Sequence, residues 1–406
     1  MKDELKIYAY ASWLDNTLIG TLFSVSGRGK DNLSFEFAEE WLEKYSYLNF
    51  DPLLFPISGK QYPDKTKNQF NLFSDLCPDR WGRTLLQKKE RLLALKENRS
   101  ANRLSETDYL LGVSDYTRMG GIRLSLDKGK SFAGEDDEAI PPISDIRKLR
   151  HIVENYEEGN DDPWLQQLIV QGSSLGGARP KANIVDEEGN LWIAKFPAKN
   201  DEYDVGAWEF LTNELAKACN VNTGEHKLVN LNNDHSVFLS KRFDRNKEER
   251  IHFASAMCML NKKDGEEASF SEIASFIRAY SNNANNDLRE LWRRMLFFVL
   301  VNNCDCHLRN HGFLLKDKGW ELSPCYDVNP SVYNQEMALF LDEENELCVS
   351  SLFAKAEDYY INKGEAEEIG KEMLKIISAW QKLASKLGIK ENEIKRFKYC
   401  FADELI

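Results

Sequence analysis

The residues best suited to chemistry lie in the polar stretch Asn302–Asn310, between the apolar run Met295–Val301 and a predicted β-hairpin. Within it, Asp305 and Asn310 are five residues apart, and Asp327 follows Asn310 by seventeen residues. In phosphoryl transfer, one Asp accepts the proton of the attacking hydroxyl, while an Asn and a second Asp hold the Mg2+ that neutralises phosphate charge. The order and spacing of these three residues therefore predict a kinase catalytic site.

A second candidate is the stretch Gly172–Lys181, which has three glycines and two serines and precedes a predicted hairpin. Small residues allow backbone N–H groups to approach a phosphate, and a lysine adds positive charge. The stretch matches neither the Walker A pattern nor G-x-G-x-x-G, so by itself it fits a flexible turn as well as a phosphate-binding loop.

A third candidate is Lys195, which lies within the otherwise apolar strand Leu191–Phe196. The position matches the strand lysine that contacts nucleotide phosphates in kinases, although an outward-facing strand lysine fits too. The predicted helix Val205–Ala218 offers two carboxylates that could pair with Lys195, Glu209 and Glu214.

A zinc site is the alternative use of the polar stretch, because Cys304 and Cys306 form a C-x-C pair close to His307. Tetrahedral zinc sites usually combine C-x2–4-C with a second ligand pair, which this spacing does not supply. The eight cysteines are scattered along a long chain, unlike a disulfide framework.

The elements that must position these residues predict a mixed first half and a helical second half. Ser105 and Asp108 have the spacing of a capping box, which predicts a helix start. The predicted strands are Leu5–Tyr10, Thr17–Phe23, Leu33–Phe37, Ile122–Leu124, Ala182–Asp186, Leu191–Phe196, Ser236–Lys241, Gly312–Leu315 and Trp320–Leu322. The predicted helices are Arg83–Lys96, Ser144–Glu157, Trp164–Val170, Val205–Ala218, Ser271–Tyr280, Asn286–Val301 and Glu365–Leu387.

Composition narrows the classes of function. The 406 residues carry a net charge of −13, which argues against nucleic-acid binding through a basic surface that extends over the whole protein. A local basic patch is compatible with this charge. The longest apolar run has seven residues, whereas a membrane-spanning helix needs about twenty. The acidic start does not fit a signal peptide. We therefore expect a cytoplasmic protein without a membrane partner.

Taken together, these motifs resemble the HipA family of bacterial serine/threonine kinases, the toxins of HipBA-type toxin–antitoxin pairs. The most specific part is Asn303-x-Asp305-x-His307-x-Arg309-Asn310, followed by Leu322–Asp327. The other segments similar to the family are Pro78–Arg83, Tyr109–Gly120, Ser174–Lys181, Ile193–Pro197 and Leu239–Arg245.

The resemblance implies a role for each matching residue. Asp305 is the expected catalytic base, Asn310 and Asp327 are the expected Mg2+ ligands, and Ser174 matches an autophosphorylated serine whose modification draws the glycine loop out. The expected ATP contacts are Gly176, Gly177, Ala178, Lys181, Lys195, Lys241, Phe243, His307, Arg309, Asn310, Tyr326 and Asp327, with Glu209 supporting Lys195.

The resemblance also implies a two-lobed, protein-kinase-like α+β fold with a strand-rich N-terminal lobe and a mainly helical C-terminal lobe. With the polar segment 128–142 as the linker signal, we expect a HipA-type N-terminal subdomain at 1–140, the rest of the N-lobe at 141–241 and the C-lobe at 242–406.

The implied partners are a helix-turn-helix antitoxin of HipB type, DNA through that antitoxin only, and a protein substrate such as an aminoacyl-tRNA synthetase, with growth arrest as the outcome. Two alternatives stay open: a small-molecule or lipid kinase of the same fold, and a module that binds an antitoxin–DNA complex.

Overall fold

Contacts within the chain divide it into two compact units. The computed structural model describes residues 4–27, 31–65, 67, 69–134, 140–159, 165–172, 174–175, 177–231, 235–317 and 319–405. Unit 1 comprises 1–199 and 244–254, and unit 2 comprises 200–243 and 255–406. The domain bounds expected from the sequence stay a prediction.

Unit 1 begins with an antiparallel four-stranded sheet in the order β3-β2-β1-β4. Its strands are β1 (Glu4–Ala11), β2 (Thr17–Ser26), β3 (Asp31–Phe37) and β4 (Ile122–Ser125). Alternate residues of β1, Ile7, Ala9 and Ala11, are fully buried, as the period of two in the sequence requires. The predicted strands of this region are confirmed.

The rest of unit 1 is mainly helical and ends in a hairpin. Its elements are α1 (Glu39–Tyr45), α2 (Asn71–Leu76), α3 (Arg80–Lys96), α4 (Glu106–Gly112), α5 (Ile146–Glu157), α6 (Leu165–Gly172), β5 (Lys181–Val185) and β6 (Leu191–Lys195). Helix α3 starts three residues before its predicted start because Asp79 caps it through the Arg80 N–H. The predicted capping box of Ser105 and Asp108 starts α4.

The polar segment 128–142 lies partly outside the described residues, which omit 135–139. Its first part is tied to unit 1, since the Asp115 N–H donates to the Gly134 carbonyl at 3.1 Å and the Ala133 N–H donates to the Leu124 carbonyl at 2.7 Å. The described part of this segment is therefore a bonded turn of unit 1.

Unit 2 combines two hairpins with helices. Its first elements are α7 (Val205–Ala218), β7 (His226–Val229) and β8 (Val237–Lys241). The chain then returns to unit 1 for residues 244–254, where β9 (Arg245–Asn246) and β10 (Glu249–Arg250) form a hairpin. The short strand β11 (Phe253–Ser255) follows. The remaining elements are α8 (Ala256–Met259), α9 (Phe270–Tyr280), α10 (Ala284–Leu300), β12 (Gly312–Lys316), β13 (Gly319–Leu322), α11 (Val349–Ala354), α12 (Lys363–Ile377), α13 (Trp380–Lys386) and α14 (Glu391–Arg396).

The mixture of sheets and helices confirms the α+β class. Helix α10 is the centre of unit 2, with Leu288, Leu291, Trp292 and Met295 fully buried. Within the described part of the chain, no helix is both long enough and apolar enough to cross a membrane.

One predicted helix is wrong in its extent. The sequence predicts a single helix at Glu365–Leu387, whereas the chain forms α12 and α13 with a break at Ser378 and Ala379. The Ser378 hydroxyl bonds back to the Lys375 carbonyl at 2.7 Å, a local bond that competes with helix continuation. After the break, Trp380 is buried and stacks on Phe401 at 4.3 Å. Burial of this indole therefore decides the direction of the chain.

Candidate functional site

The polar loop that follows α10 carries the predicted catalytic residues of unit 2. Helix α10 ends at Leu300, and Asn302 adopts a left-handed conformation with φ 53°, which turns the chain out of the helix. The Asn302 side chain donates to the carbonyls of Ser331 at 2.6 Å and Asn334 at 2.9 Å. Buried Asn303 accepts the Asn329 N–H at 3.0 Å. The loop is therefore held to the segment that follows Asp327.

Asp305 and Asn310 lie at the two ends of one turn. The Asn310 side-chain amide donates to the Asp305 carbonyl at 2.7 Å, and the Asn310 N–H donates to the His307 carbonyl at 2.8 Å. The 3-10 turn Leu308–Asn310 makes this closure possible within five residues. The predicted catalytic base and the predicted Mg2+ ligand thus belong to one hydrogen-bonded turn.

The Asp305 side chain is largely exposed, and three influences act on the pKa of its carboxylate. Partial desolvation of the carboxylate is the largest influence and raises the pKa of Asp305 above its ordinary value. His307, with Nε2 3.6 Å from Oδ1, opposes that rise in the pKa, whereas the negative charge of Asp327 adds to it. A general base works best when its pKa lies near the operating pH, so this direction of shift suits proton acceptance.

Asp327 follows the β12–β13 hairpin in a left-handed conformation, φ 59°, which Asp tolerates better than most residues. The Asn310 amide uses its Nδ2 on the Asp305 carbonyl, so its Oδ1 is the atom that can bind a cation. Mg2+ is usually bound by one or two protein oxygens together with substrate phosphates. The oxygen donors of Asn310 and Asp327 fit that requirement.

Aromatic and cationic side chains surround this turn within unit 2. The Tyr326 hydroxyl donates to the Arg309 carbonyl at 2.8 Å, and the rings of Tyr326 and Phe243 lie 5.5 Å apart. The Arg309 guanidinium binds Asp264 through two hydrogen bonds of 2.8 Å each. Arg309, predicted to contact ATP, thus has a carboxylate partner in its own unit.

The remaining predicted residues of unit 2 lie on α7 and β8. Lys241 forms an ion pair with Glu225 at 2.8 Å. Of the two candidate partners for Lys195, Glu214 is bound by His226 at 2.8 Å, while Glu209 is buried. The pairing of Lys195 with Glu209 stays a prediction.

Unit 1 holds the glycine loop and the lysine strand. Lys181 on β5 lies opposite Lys195 on β6 in the hairpin register. Gly177 has a φ of +74°, and a Cβ there would lie 2.8 Å from the Lys181 Nζ, so both conformation and space favour glycine. Ala178 is exposed, and Gly176 lies outside the described residues.

Ser174, the predicted phosphorylation site, points into unit 1. Its hydroxyl accepts a hydrogen bond from the Asn183 side chain at 3.1 Å, and only 9% of the residue is exposed. The same Asn183 amide donates to the Gln171 carbonyl at 2.7 Å. The serine is therefore fixed by the first strand of the hairpin.

The zinc alternative would need three or four ligand side chains close together. Within the described residues, no group of three or more His, Cys, Asp or Glu side chains is arranged to hold a metal ion. Cys306 is buried, and that burial raises the pKa of its thiol to about 11. This burial fits a small space-filling side chain.

Several residues that contact predicted site residues within their own unit had no assigned role at the level of sequence: Asp79 and Asn183 in unit 1, and Asp264 and Asn302 in unit 2. Asp79 carried a usable signal, because an Asp before an amphipathic run is a helix cap. Asp264 is 45 residues from Arg309, and no local pattern links them.

Comparison with known proteins gives matches along most of the chain. Two family models match, the HipA-like C-terminal domain over residues 173–381 and the HipA N-terminal domain over residues 10–107. A Haemophilus influenzae protein that carries the name of a kinase is 27% identical over 226 residues. The matched residues cover 47% of this chain and 65% of that protein. The serine/threonine-protein kinase toxin HipA of Shewanella oneidensis is 24% identical over 289 residues, 62% of this chain and 65% of that protein.

The chain thus spans slightly less than two thirds of the length of these two relatives. Among solved structures, it is similar to a chain of the toxin–antitoxin complex of Shewanella oneidensis MR-1, which contains HipA, HipB and operator DNA. The TM-score is 0.65 at 17% identity, with 97% of this chain and 94% of the other covered. This likeness confirms the α+β, kinase-like fold expected from the sequence.

Proposed function

The chain belongs to the HipA family, and we propose that it is an ATP- and Mg2+-dependent serine/threonine protein kinase. The observation that carries this proposal is the turn of unit 2 that joins Asp305 to Asn310 by a 2.7 Å hydrogen bond, with the charge of Asp327 acting on Asp305. These residue types supply a proton acceptor and two oxygen ligands, which is what phosphoryl transfer requires of a protein.

In this proposal each group has one task. The Asp305 carboxylate accepts the proton of the attacking serine or threonine hydroxyl. The side chains of Asn310 and Asp327 hold Mg2+, which neutralises charge on the phosphates when bound. Lys195 balances the phosphates, and the glycine loop Gly172–Lys181 covers them.

We also propose that Ser174 is modified by the kinase itself and that its phosphorylation switches the enzyme off. A phosphate brings about two negative charges, whereas the buried place beside Asn183 holds a neutral hydroxyl. The phosphorylated loop therefore has to leave that place.

The proposed role in the cell is that of a growth-arresting toxin paired with a helix-turn-helix antitoxin of HipB type. Family membership motivates this partner, and the net charge of −13 supports contact with DNA through the antitoxin rather than directly. The proposed substrate is a protein of translation, such as an aminoacyl-tRNA synthetase.

The test is intact-mass spectrometry of phosphatase-treated protein after incubation with ATP and Mg2+. Wild type should gain phosphate at Ser174, and Asp305→Asn should gain none. Asp317→Asn is the matched control, since Asp317 is another exposed aspartate with a left-handed backbone, φ 52°, in the next hairpin.

Two outcomes would contradict the proposal. A wild-type protein that binds ATP but transfers no phosphate to itself or to protein would favour the small-molecule or lipid kinase. A protein that binds no ATP would favour the module that binds an antitoxin–DNA complex.

A further inference from the structure

The glycine loop is docked on helix α3 through a reciprocal pair of hydrogen bonds. The Gly177 N–H donates to the Asp79 carboxylate at 3.1 Å, and the Gly177 carbonyl accepts the Trp81 N–H at 2.9 Å. The first N–H groups of a helix lack acceptors within the helix, and the Gly177 carbonyl of the loop is the acceptor for one of them, that of Trp81. Both backbone groups of Gly177 are thereby committed to α3.

The two ends of the loop contact the same helix. The Trp81 indole N–H donates to the Lys181 carbonyl at 2.8 Å in a buried contact. At the other end, a Cβ on Gly172 would lie 2.5 Å from Leu85 Cδ1 and 3.0 Å from the Trp81 Nε1. Helix α3 therefore contacts the beginning, the middle and the end of the loop.

Ser174 lies between two of these contacts. It is buried, its hydroxyl is bound by Asn183, and the adjacent Leu175 N–H donates to the Gly172 carbonyl at 3.2 Å. A serine hydroxyl can be phosphorylated only when it reaches a catalytic base and the γ-phosphate together. Ser174 must therefore leave its place beside Asn183 before it can react, and the loop residues on either side of it, Gly172 and Gly177, contact α3.

We propose that Asp79 and Trp81 form a latch that holds the glycine loop on α3 and sets how often Ser174 is exposed. Both are positioning residues, since they act on the loop and not on the reacting atoms. The latch assigns α3, which lies in the N-terminal part of the chain, a task in controlling self-modification.

The part of this inference that concerns phosphorylation rests on the proposed kinase function. In that step a bond forms between the Ser174 Oγ and the γ-phosphorus as the bond from phosphorus to the ADP oxygen breaks, and the hydroxyl proton passes to the catalytic base. The latch adds no reactant to this step and changes only the access of the hydroxyl.

The first experiment measures exposure without any kinase activity. In a Ser174→Cys background, alkylation at position 174 is followed over time by peptide mass mapping, which separates this position from the eight native cysteines. Adding Asp79→Ala should speed alkylation about tenfold, since a hydrogen bond to a charged group is lost. Asp79→Asn keeps one acceptor oxygen and should give an intermediate rate.

The matched control is Ser105→Ala, which removes the cap of α4 in the same unit without touching the loop. It should lower thermal stability like Asp79→Ala but leave alkylation at position 174 unchanged. Gly172→Ala disturbs the contact of the loop with α3 at Gly172, because its Cβ would lie 2.5 Å from Leu85 Cδ1. This variant should also speed alkylation at position 174. Equal alkylation rates in the parent, Asp79→Ala and Gly172→Ala proteins would overturn the latch.

The second experiment restores Ser174 and follows its phosphorylation after ATP and Mg2+ are added. Asp79→Ala should be phosphorylated about tenfold faster than wild type, in line with the alkylation result. Faster alkylation with an unchanged phosphorylation rate would overturn the control of self-modification. Faster alkylation with no phosphorylation in any protein would support the latch and overturn the proposed kinase function instead.

Discussion

The Asn310 side chain donates a 2.7 Å hydrogen bond to the backbone carbonyl of Asp305, five residues earlier. The bond closes the turn from Asp305 to Asn310 in unit 2, so that the proposed base and the proposed metal ligand are joined through one hydrogen bond. It also orients the Asn310 amide, because the nitrogen is committed and the oxygen is left for a cation.

Asn310→Ala should lower kcat by about 10²–10³ because it removes both the turn closure and a Mg2+ ligand. Asn310→Asp keeps an oxygen ligand but no donor, so it should retain more activity at high Mg2+. The measurement is kcat as a function of Mg2+ concentration. Asn286→Ala, an exposed asparagine at the start of α10, is the control and should match wild type. Equal activity of Asn310→Ala and wild type would contradict the role of this turn.

His307→Gln should move the acid limb of the pH–rate profile to higher pH. His307 lowers the pKa of Asp305, so its loss lets desolvation and the charge of Asp327 raise that pKa further. Since the base acts in its deprotonated form, activity at low pH should fall more than activity at high pH. The readout is kcat/KM from about pH 5 to 9, the range in which general-base limbs are measured. A uniform loss across this range would mean that His307 acts on something other than Asp305.

The ion pair of Arg309 and Asp264 should contribute little to folding. Its side chains are 33% and 70% exposed, and exposed pairs are worth about 0–1 kcal/mol. A double-mutant cycle with Arg309→Gln and Asp264→Asn, measured by urea unfolding, should give a coupling energy below about 1 kcal/mol. The predicted ATP contact of Arg309 adds an asymmetry: Arg309→Gln should raise KM for ATP, and Asp264→Asn should not. Equal effects of both variants on KM for ATP would contradict a direct contact of Arg309 with ATP and would mean that the ion pair is only structural.

His311 should make unit 2 sensitive to acid. Burial is the main reason that the pKa of His311 falls to about 3; Arg294 and His307 act in the same direction, against its hydrogen bond to the Cys306 carbonyl. Because the folded-state pKa lies below the unfolded value of 6.5, the unfolded chain binds more protons as the pH falls, and stability is lost from about pH 6.5 towards pH 3. His311→Phe should abolish on the order of 2 kcal/mol of this loss between pH 7 and 4.5.

The measurement for His311 is the urea midpoint at both pH values. His252, which stacks on Trp13 in unit 1 and whose pKa burial also lowers to about 3, provides the paired variant, His252→Phe. Each substitution should reduce the acid sensitivity of its own unit. An unchanged pH dependence in His311→Phe would argue against a buried neutral histidine.

Much of the local structure was predictable from the sequence because its causes are local. The hairpin of β5 and β6, the capping box of Ser105 and Asp108, and the amphipathic helix α7 all have short-range signals: alternation, a cap and a period of 3.6. For the same reason the spacing of Asp305 and Asn310 was enough to place both in one loop.

The failures have causes far along the chain. The break between α12 and α13 depends on Trp380 packing against Phe401, which a helical period over Glu365–Leu387 does not reveal. The carboxylate partner of Arg309 lies on another loop. Ser174 belongs to a stretch that fits a flexible turn, yet it is buried, and its hydroxyl is bound by Asn183 on β5.

The sequence by itself thus determined which groups are present for chemistry, because the identity and order of Asp305, Asn310 and Asp327 are fixed along the chain. Only the tertiary structure decided the state of those groups: the turn that closes on Asp305, the charges that shift its pKa, and the docking of Gly177 on α3. The physical reason is that solvation and hydrogen bonding depend on which atoms fill the space around a group, and in a folded chain most of those atoms come from distant residues.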